Sequence, residues 1–199
     1  MTIFELLAPA QRGADIAAAV EELLTENGRP KTWAHVSAVA QVCADMGAAF
    51  GIPPEQCRAA GLLHDVSAVV PAGEMLEYAR GQGWEIDPAE EAHPFLLHQR
   101  VSEVAARKRF GVTDAAVLHA IRCHTTLRAN PSPWDMALFL ADKLAWDQPG
   151  EPPFREEIER GLRVSLERAC LNYMEYAMDH DMILTPHKWL LEAMEWLRQ

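Results

Sequence analysis

Two adjacent side chains at the end of an apolar stretch could bind a metal ion. Residues 59–63 are small or aliphatic and are followed by His64 and Asp65. Such a stretch predicts burial, and a buried imidazole and carboxylate are costly unless each has a partner. Imidazole nitrogen and carboxylate oxygen together suit divalent iron, manganese or zinc, and a carboxylate can bridge two ions. The pair alone does not establish a metal site, because a helix-end His beside a capping Asp has the same sequence.

Further candidate ligands lie on buried stripes of other predicted helices. Asp142 follows Leu138 by one helical turn, so it continues a buried stripe, and a buried Asp needs a cation or hydrogen-bond donors. His35 precedes Val39 by one turn and faces the core in the same way. The inward-facing candidates are His35, His64, Asp65, His98, His124 and Asp142.

The elements that must position these side chains are helices. Apolar residues recur at helical spacing, and the sequence has neither strand-period alternation nor an internal repeat, so the predicted fold class is all-α. Thr32 is the expected N-cap of the second helix, and Val164 lies on the expected apolar stripe of a long helix near the end. The predicted helices span residues 14–27, 32–51, 52–65, 74–80, 94–111, 114–124, 134–146, 154–179 and 186–197.

Length and composition predict one globular domain. The chain has 199 residues, of which 49% are hydrophobic and 24% charged, and it can bury a substantial core. We expect one helical domain over residues 1–199, with an N-terminal helix in 1–30, a metal-binding core in 33–147 and C-terminal helices in 154–199. The net charge of −11 argues against nucleic acid and anionic membrane as partners, whereas a small polyphosphate is compatible with bound metal ions.

The cysteines and the N-terminus predict a cytoplasmic location. The four cysteines are scattered, without the paired spacing of a structural zinc site or a disulfide scaffold. The first residues lack the basic region and apolar run of a secretion signal. The sequence also has no apolar run long enough to span a bilayer.

The order of four candidate ligands resembles that of a known superfamily. His35, His64, Asp65 and Asp142 follow the order His…His-Asp…Asp of the HD-domain metal-dependent phosphohydrolases, which are helical bundles. His98 and His124 are similar to the two further histidines of branches that hold two metal ions. The resemblance therefore implies a two-metal hydrolytic site in an HD-domain helical bundle.

Over residues 33–197 the chain resembles one branch of this superfamily more specifically than the general HD pattern. This branch is the symmetrical dinucleoside tetraphosphatases of the YqeK type. The motifs that carry this resemblance are Ala-Gly-Leu-Leu-His-Asp (60–65), Leu-Leu-His (96–98), Ala-Ile-x-x-His-Thr-Thr (120–126) and Leu-Ala-Asp-Lys (140–143). The family usually has Gly where this chain has Gln99 and Leu127, and it continues differently after Ala-Asp-Lys. The ligands are intact and the rim of the site is altered, so the resemblance implies the chemistry more strongly than the substrate.

The resemblance implies metal-dependent cleavage of diadenosine tetraphosphate into two ADP, with a small-molecule nucleotide as the partner. Two cations about 3.5 to 4 Å apart can bridge a water, lower its pKa towards about 7 and stabilise phosphoryl displacement. His35, His64, Asp65 and Asp142 would hold one ion, and His98 and His124 would complete the second with Asp65 bridging. His64 and Asp65 are the catalytic pair of this hypothesis, with iron as the expected metal and manganese as substitute.

Candidate phosphate contacts follow the same motifs. They are Lys143, Arg128, Thr125 and Arg100, although Lys143 could equally be a solvated helix residue and Arg128 a loop charge. Thr125 and Thr126 could donate their hydroxyls to phosphate or cap the helix end. The remaining histidines are assigned to the surface or to structural roles; they are His93, His119, His180 and His187.

Three other functions fit part of the pattern. Another HD phosphohydrolase, such as a nucleoside monophosphatase, would share the ligands but not the substrate. A di-iron oxygenase would use a similar histidine-rich site with oxygen, and a non-catalytic HD-like module would usually lose ligands. Exposed apolar residues on the last two helices could serve a homodimer or cover the domain core.

Overall fold

The computed structural model describes residues 1–9 and 15–199, and the chain is helical without a strand in those ranges. This confirms the predicted all-α fold class. Two 3₁₀ turns, Val66–Val69 and Pro94–Leu97, connect helices. The α-helices are α1 (Ile3–Leu6), α2 (Ile16–Glu26), α3 (Pro30–Phe50), α4 (Pro54–Leu63), α5 (Ala72–Gly81), α6 (Pro88–Ala92), α7 (His98–Lys108), α8 (Ala115–Cys123), α9 (Pro133–Leu144), α10 (Arg155–Leu162), α11 (Leu166–Asp179) and α12 (Lys188–Leu197).

Prolines and short polar caps set the starts of the helices that surround the site. Pro30, Pro54 and Pro133 each occupy the first helical position, where a missing N–H costs no hydrogen bond. The Asp114 carboxylate accepts hydrogen bonds from two backbone N–H groups at the start of α8. Gly51 ends α3 with a φ of 73°, a left-handed conformation that glycine adopts without a Cβ penalty.

Helix α4 lies at the centre of the bundle because Gly61 lets it approach α3 closely. A Cβ added to Gly61 would lie 2.5 Å from Ala40 Cα and 2.7 Å from Ala40 N. α4 also packs against α8 and α9, and Leu63 near its end is fully buried. The residues that follow α4 therefore enter the middle of the molecule.

The other helices complete the walls around the end of α4. α7 packs against α8 and against the 3₁₀ turn Val66–Val69, while α9 packs against both α3 and α8. α2 lies against α3, and α11 lies against α9. No helix in the two described ranges combines the length and apolar character needed to cross a membrane.

The region 154–179 was predicted as one helix, and this prediction is wrong. The chain forms α10 and α11, which pack against each other as a hairpin. Ser165 starts α11 by accepting a hydrogen bond from the backbone N–H of Arg168. Gly161 permits the close return, since a Cβ there would lie 2.3 Å from Ala169 Cα. Val164 falls in the connection and is 74% exposed, not on a buried stripe.

Several helix boundaries also differ from their predictions. Thr32 is not an N-cap, because Pro30 begins α3 one half-turn earlier. The segment from Pro94 begins as a 3₁₀ turn and becomes α-helical at His98. The predicted start of the first helix at Ala14 lies outside the described residues, and α2 begins at Ile16.

The close contact at Gly61 gives a stability prediction. Gly61→Ala should lower the free energy of unfolding by about 1–3 kcal/mol, because the added methyl group overpacks the α3–α4 contact. Gly73→Ala is the matched control, since Gly73 lies in α5 with no atom within 4 Å of an added Cβ. Urea denaturation followed by circular dichroism measures both variants. Equal stability of the two would contradict the packing account.

Candidate metal centre

The end of α4 brings the six predicted ligands together in the middle of the bundle. Each one lies on or at the end of a helix that packs around this point. They are His35 in α3, His64 and Asp65 directly after α4, His98 at the start of α7, His124 directly after α8 and Asp142 in α9. His64 and His124 are almost completely buried, while the side chains of Asp65 and His98 are partly open to solvent.

One half of the cluster surrounds the Asp142 carboxylate. His35 Nε2 lies 3.1 Å from Asp142 Oδ1, and His64 Nε2 lies 3.5 Å from the same oxygen. One ligand atom from each of these three residues lies within 4.8 Å of the other two. Three donors at these separations could bind one ion.

The other half surrounds the Asp65 carboxylate. Asp65 Oδ1 lies 3.3 Å from His98 Nε2 and 3.6 Å from His124 Nε2. Asp65 Oδ2 instead faces His64, with a distance of 3.7 Å to His64 Nε2. The two oxygens of one carboxylate are thus directed at different histidines, the arrangement that a bridging ligand requires.

Backbone carbonyls fix three of the histidine rings with Nε2 toward the centre. The Nδ1 atoms of His64, His98 and His124 lie 2.6–2.8 Å from the carbonyl oxygen three residues earlier in each case. A carbonyl only accepts, so each Nδ1 must carry the proton that it donates. In the neutral form of each ring the lone pair of Nε2 is then left for a metal ion, as in histidine ligands generally.

The spacing of the donor atoms fits metal ligation. His98 Nε2 and His124 Nε2 lie 3.0 Å apart, and two facing lone pairs repel at that distance unless a cation or proton lies between them. Two ligands at right angles on an ion with bonds of about 2.1 Å are separated by about 3.0 Å. His64 Nε2 and Asp65 Oδ1 are buried and lack a hydrogen-bond partner within the described residues. Metal ions would satisfy these unpaired atoms.

The electrostatic field of the two carboxylates favours positive charge at the centre. Burial alone would lower the pKa of His64, but Asp65 and Asp142 outweigh it and raise that pKa to about 9. Burial would raise the pKa of Asp65, yet the charge of His64 and the neighbouring His98 and His124 rings hold it well below its usual range. Burial lowers the pKa of His124 to about 4, which keeps this ring neutral and able to ligate.

Two of the predicted phosphate contacts lie at this centre. Lys143 Nζ lies 2.6 Å from Asp142 Oδ2 and 3.3 Å from the carbonyl oxygen of His124. Burial would lower the pKa of Lys143, but the Asp142 carboxylate overcomes burial and raises it, so the group stays an ammonium. Thr125 Oγ1 lies 3.1 Å from His98 Nε2.

The structure places the other two candidate phosphate contacts away from the six ligands. Arg100 donates to the buried Glu90 carboxylate at 2.9 Å and lies over the Trp84 ring, 4.3 Å from its centroid. Arg128 Nε lies 3.8 Å from the buried Asp135 carboxylate. The guanidinium group of Arg100 therefore pairs with Glu90, and that of Arg128 pairs with Asp135.

Two cavities adjoin each other beside the cluster, and one of them opens on it. A cavity of about 360 Å³ is lined by His35, Asp65 and Asp142 on one side and by Trp146 and Phe154 on the other. A second cavity of about 230 Å³ lies beside Thr125 and is lined by apolar residues such as Phe95, Ile183 and Leu190. Both cavities include Lys143, Tyr173 and Met182 in their walls.

Sequence reasoning missed several of these cavity residues. Lys31 lies one helical turn before His35, and this spacing could have indicated it. Tyr173 and Met182 have no local sequence signal, because their position depends on how the α10–α11 hairpin packs on α9.

A second group of possible ligands, His119, Cys123 and Asp135, has a structural role instead. Its ligand atoms lie within 4.8 Å of one another. Asp135 completes the capping box of α9 with Ser132 and accepts a hydrogen bond from His119 Nδ1 at 2.8 Å. Burial raises the pKa of the Cys123 thiol well above its usual range, so the thiol stays protonated. The Asp135 carboxylate is satisfied by protein donors.

Known proteins resemble this chain in sequence and structure. Residues 32–147 match the HD domain family. A Lactococcus lactis subsp. cremoris protein described as "Uncharacterized protein in pepC 5'region" is 39% identical over 142 residues, which is 71% of this chain and 72% of that protein. The symmetrical bis(5'-nucleosyl)-tetraphosphatase of Bacillus subtilis (strain 168) is 25% identical over 177 residues, covering 87% and 91% of the two chains.

A solved structure shares the fold along almost the whole chain. It is described as a predicted HD superfamily hydrolase involved in NAD metabolism from Clostridium acetobutylicum. Its TM-score is 0.78 at 25% identity, with 91% of this chain and 96% of that chain covered. The match over residues 32–147, which is more than half of the chain, shows that this chain belongs to the HD domain family.

Proposed function

We propose that this chain is a metal-dependent phosphohydrolase that cleaves diadenosine tetraphosphate symmetrically into two ADP. The observation that carries the proposal is the Asp65 carboxylate, whose oxygens face different histidines as a ligand shared by two ions would. The Bacillus subtilis tetraphosphatase, similar along most of the chain, supports the substrate class. Iron is the proposed metal, with manganese as substitute, because a histidine-rich donor set suits both.

Each protein group has a separate part in this proposal. When bound, two divalent cations would supply Lewis-acid stabilisation of phosphoryl charge and a water of lowered pKa. Asp65 is shared between the two halves, and the hydrogen bond from His64 Nδ1 to the Gly61 carbonyl orients the His64 ring in the first half. The residues assigned to the first ion are His35, His64, Asp65 and Asp142, and those assigned to the second are Asp65, His98 and His124.

Lys143 is the side chain proposed to bind a phosphate group of the substrate. Its ammonium group lies at the boundary of both cavities beside Asp142, so an incoming phosphate oxygen can accept from it. The Thr125 hydroxyl lies near His98 and can donate to a second phosphate. The reaction adds one water across the central P–O–P linkage, and each product retains two phosphates.

The paired cavities support a substrate with two nucleosides. Phe154 and Tyr173 provide aromatic surface in the larger cavity, and Phe95 provides it in the smaller one. A phosphate chain that passes Lys143 could place one nucleoside in each cavity, with its centre near Asp65. Aromatic side chains suit the faces of nucleobases.

The proposal extends to the organisation of the chain and its location. We propose one HD-type domain over residues 1–199, because α2 packs on α3 and α11 packs on α9, joining both ends of the chain to the core of the matched region. The four cysteines are buried free thiols, which supports the cytoplasmic location expected from the sequence. The homodimer stays a prediction from the sequence.

Product analysis tests the proposed reaction. The protein loaded with Fe²⁺ or Mn²⁺ should convert diadenosine tetraphosphate into ADP as sole product, because the water attacks at the centre of the phosphate chain. Chromatography of the reaction mixture measures this, with ATP, GTP and nucleoside monophosphates in parallel as controls. Paired AMP and ATP would contradict symmetrical cleavage. Inorganic phosphate from the monophosphates would instead identify a nucleoside monophosphatase.

Substitution of the shared carboxylate tests the metal centre. Asp65→Asn keeps the shape of the side chain but removes the charge, so hydrolysis should fall by roughly 100-fold or more and bound metal should drop below two ions per chain. Asp45→Asn is the matched control, because Asp45 is exposed on α3 away from the ligands. Elemental analysis and circular dichroism accompany the assay. Full activity with two ions in Asp65→Asn would refute the assignment.

A further inference from the structure

Gln99 is a fully buried amide beside the second half of the proposed centre. It lies in the first turn of α7, directly after His98, and its side chain has no exposed surface. A buried amide needs partners for both its oxygen and its NH₂ group. Both partners come from the segment that directly follows His124.

The hydrogen bonds determine which way the Gln99 amide points. The Thr125 backbone N–H can only donate, so the atom 3.1 Å from it must be the Gln99 oxygen Oε1. Gln99 Nε2 then donates to Thr126 Oγ1 at 3.2 Å. The Thr126 hydroxyl in turn donates to the carbonyl oxygen of Leu127 at 3.0 Å. The Gln99 side chain thus holds Thr125 and Thr126, and the Thr126 hydroxyl links them to Leu127.

The held segment has a backbone conformation that needs support. Leu127 is buried and has a φ of 57°, a left-handed conformation that is costly for a residue with a Cβ. Its N–H donates to the carbonyl oxygen of Cys123 at 2.7 Å, so the turn closes around His124. The Gln99 amide and the burial of Leu127 hold this turn in place.

We propose that Gln99 is a positioning residue that sets the distance between the His98 and His124 ligands. Its backbone adjoins His98, and its side chain binds the backbone that adjoins His124, so it spans the two ligands whose Nε2 atoms lie 3.0 Å apart. Gln99 is not assigned as a ligand and does not contact the reacting atoms. The inference rests on the proposed two-ion centre and adds a residue that controls one half of it.

A metal titration of the metal-free protein tests this inference. Mn²⁺ is added to wild type and to Gln99→Met, which keeps the length of the side chain and removes both hydrogen bonds. Wild type should bind two ions. Gln99→Met should bind one ion as wild type does and the other about tenfold or more weakly, the size of effect typical of groups that orient metal ligands. Calorimetry and electron paramagnetic resonance count the bound ions.

Gln56→Met is the matched control for a lost amide. Gln56 also joins two elements, donating to Asp114 Oδ2 and accepting from Trp134 Nε1 at 2.7 Å each, but neither partner adjoins a proposed ligand. This variant should lose stability without any change in the affinity for either ion. Thr126→Val provides a second test, because it removes the hydroxyl that Gln99 binds and leaves residue 99 unchanged.

The outcomes separate this inference from the proposed function. Two ions bound by Gln99→Met with wild-type affinities would overturn the positioning role and leave the two-ion centre standing. An equal loss at both ion sites would also overturn it, because the amide contacts only the segment beside His124. If Gln99→Met does not fold, Thr126→Val decides by the same criterion. Fewer than two ions in wild type would contradict the centre itself.

Discussion

The rest of the structure depends on two carboxylates that are held among four imidazoles inside a helical bundle. Asp65 and Asp142 attract positive charge strongly enough to raise the pKa of the buried His64 to about 9. A cluster of this kind is stable in a protein interior only when cations compensate the carboxylates. Lys143 supplies one positive charge next to Asp142. Further cations could bind the atoms that lack hydrogen-bond partners, Asp65 Oδ1 and His64 Nε2. Once bound, metal ions would reverse the local sign of the potential and attract a polyphosphate.

The fold meets this requirement by bringing the C-terminal ends of α4 and α8 to the centre, where His35 of α3 and Asp142 of α9 also lie. His64 and His124 directly follow α4 and α8, where the last carbonyls of a helix are free to accept the Nδ1 protons of the rings. Gly61 makes the arrangement possible in two ways. Its lack of a side chain permits the close α3–α4 contact, and its carbonyl oxygen accepts a hydrogen bond from His64 Nδ1. Packing, ring orientation and the availability of Nε2 are therefore set by the same few residues.

The sequence predicted which side chains lie together at the centre better than it predicted their surroundings, for a physical reason. His35 and Asp142 lie on apolar stripes, so helical periodicity alone indicates that they face the core. Arg100 and Arg128 lie as close to the motifs in sequence, but Glu90 and Asp135 are nearer partners in space, and no local pattern reveals that. The turn at residues 163–165 escaped prediction because it depends on the contact between Gly161 and Ala169. Tyr173 reaches the cavity only through that hairpin.

The most direct test of the central claim is the position of the metal ions themselves. Anomalous diffraction from crystals loaded with Mn²⁺ should give two peaks about 3.5 to 4 Å apart. One Asp65 oxygen should bind each ion, with His35, His64 and Asp142 around the first and His98 and His124 around the second. A single peak, or two peaks with Asp65 bound to only one of them, would contradict the account.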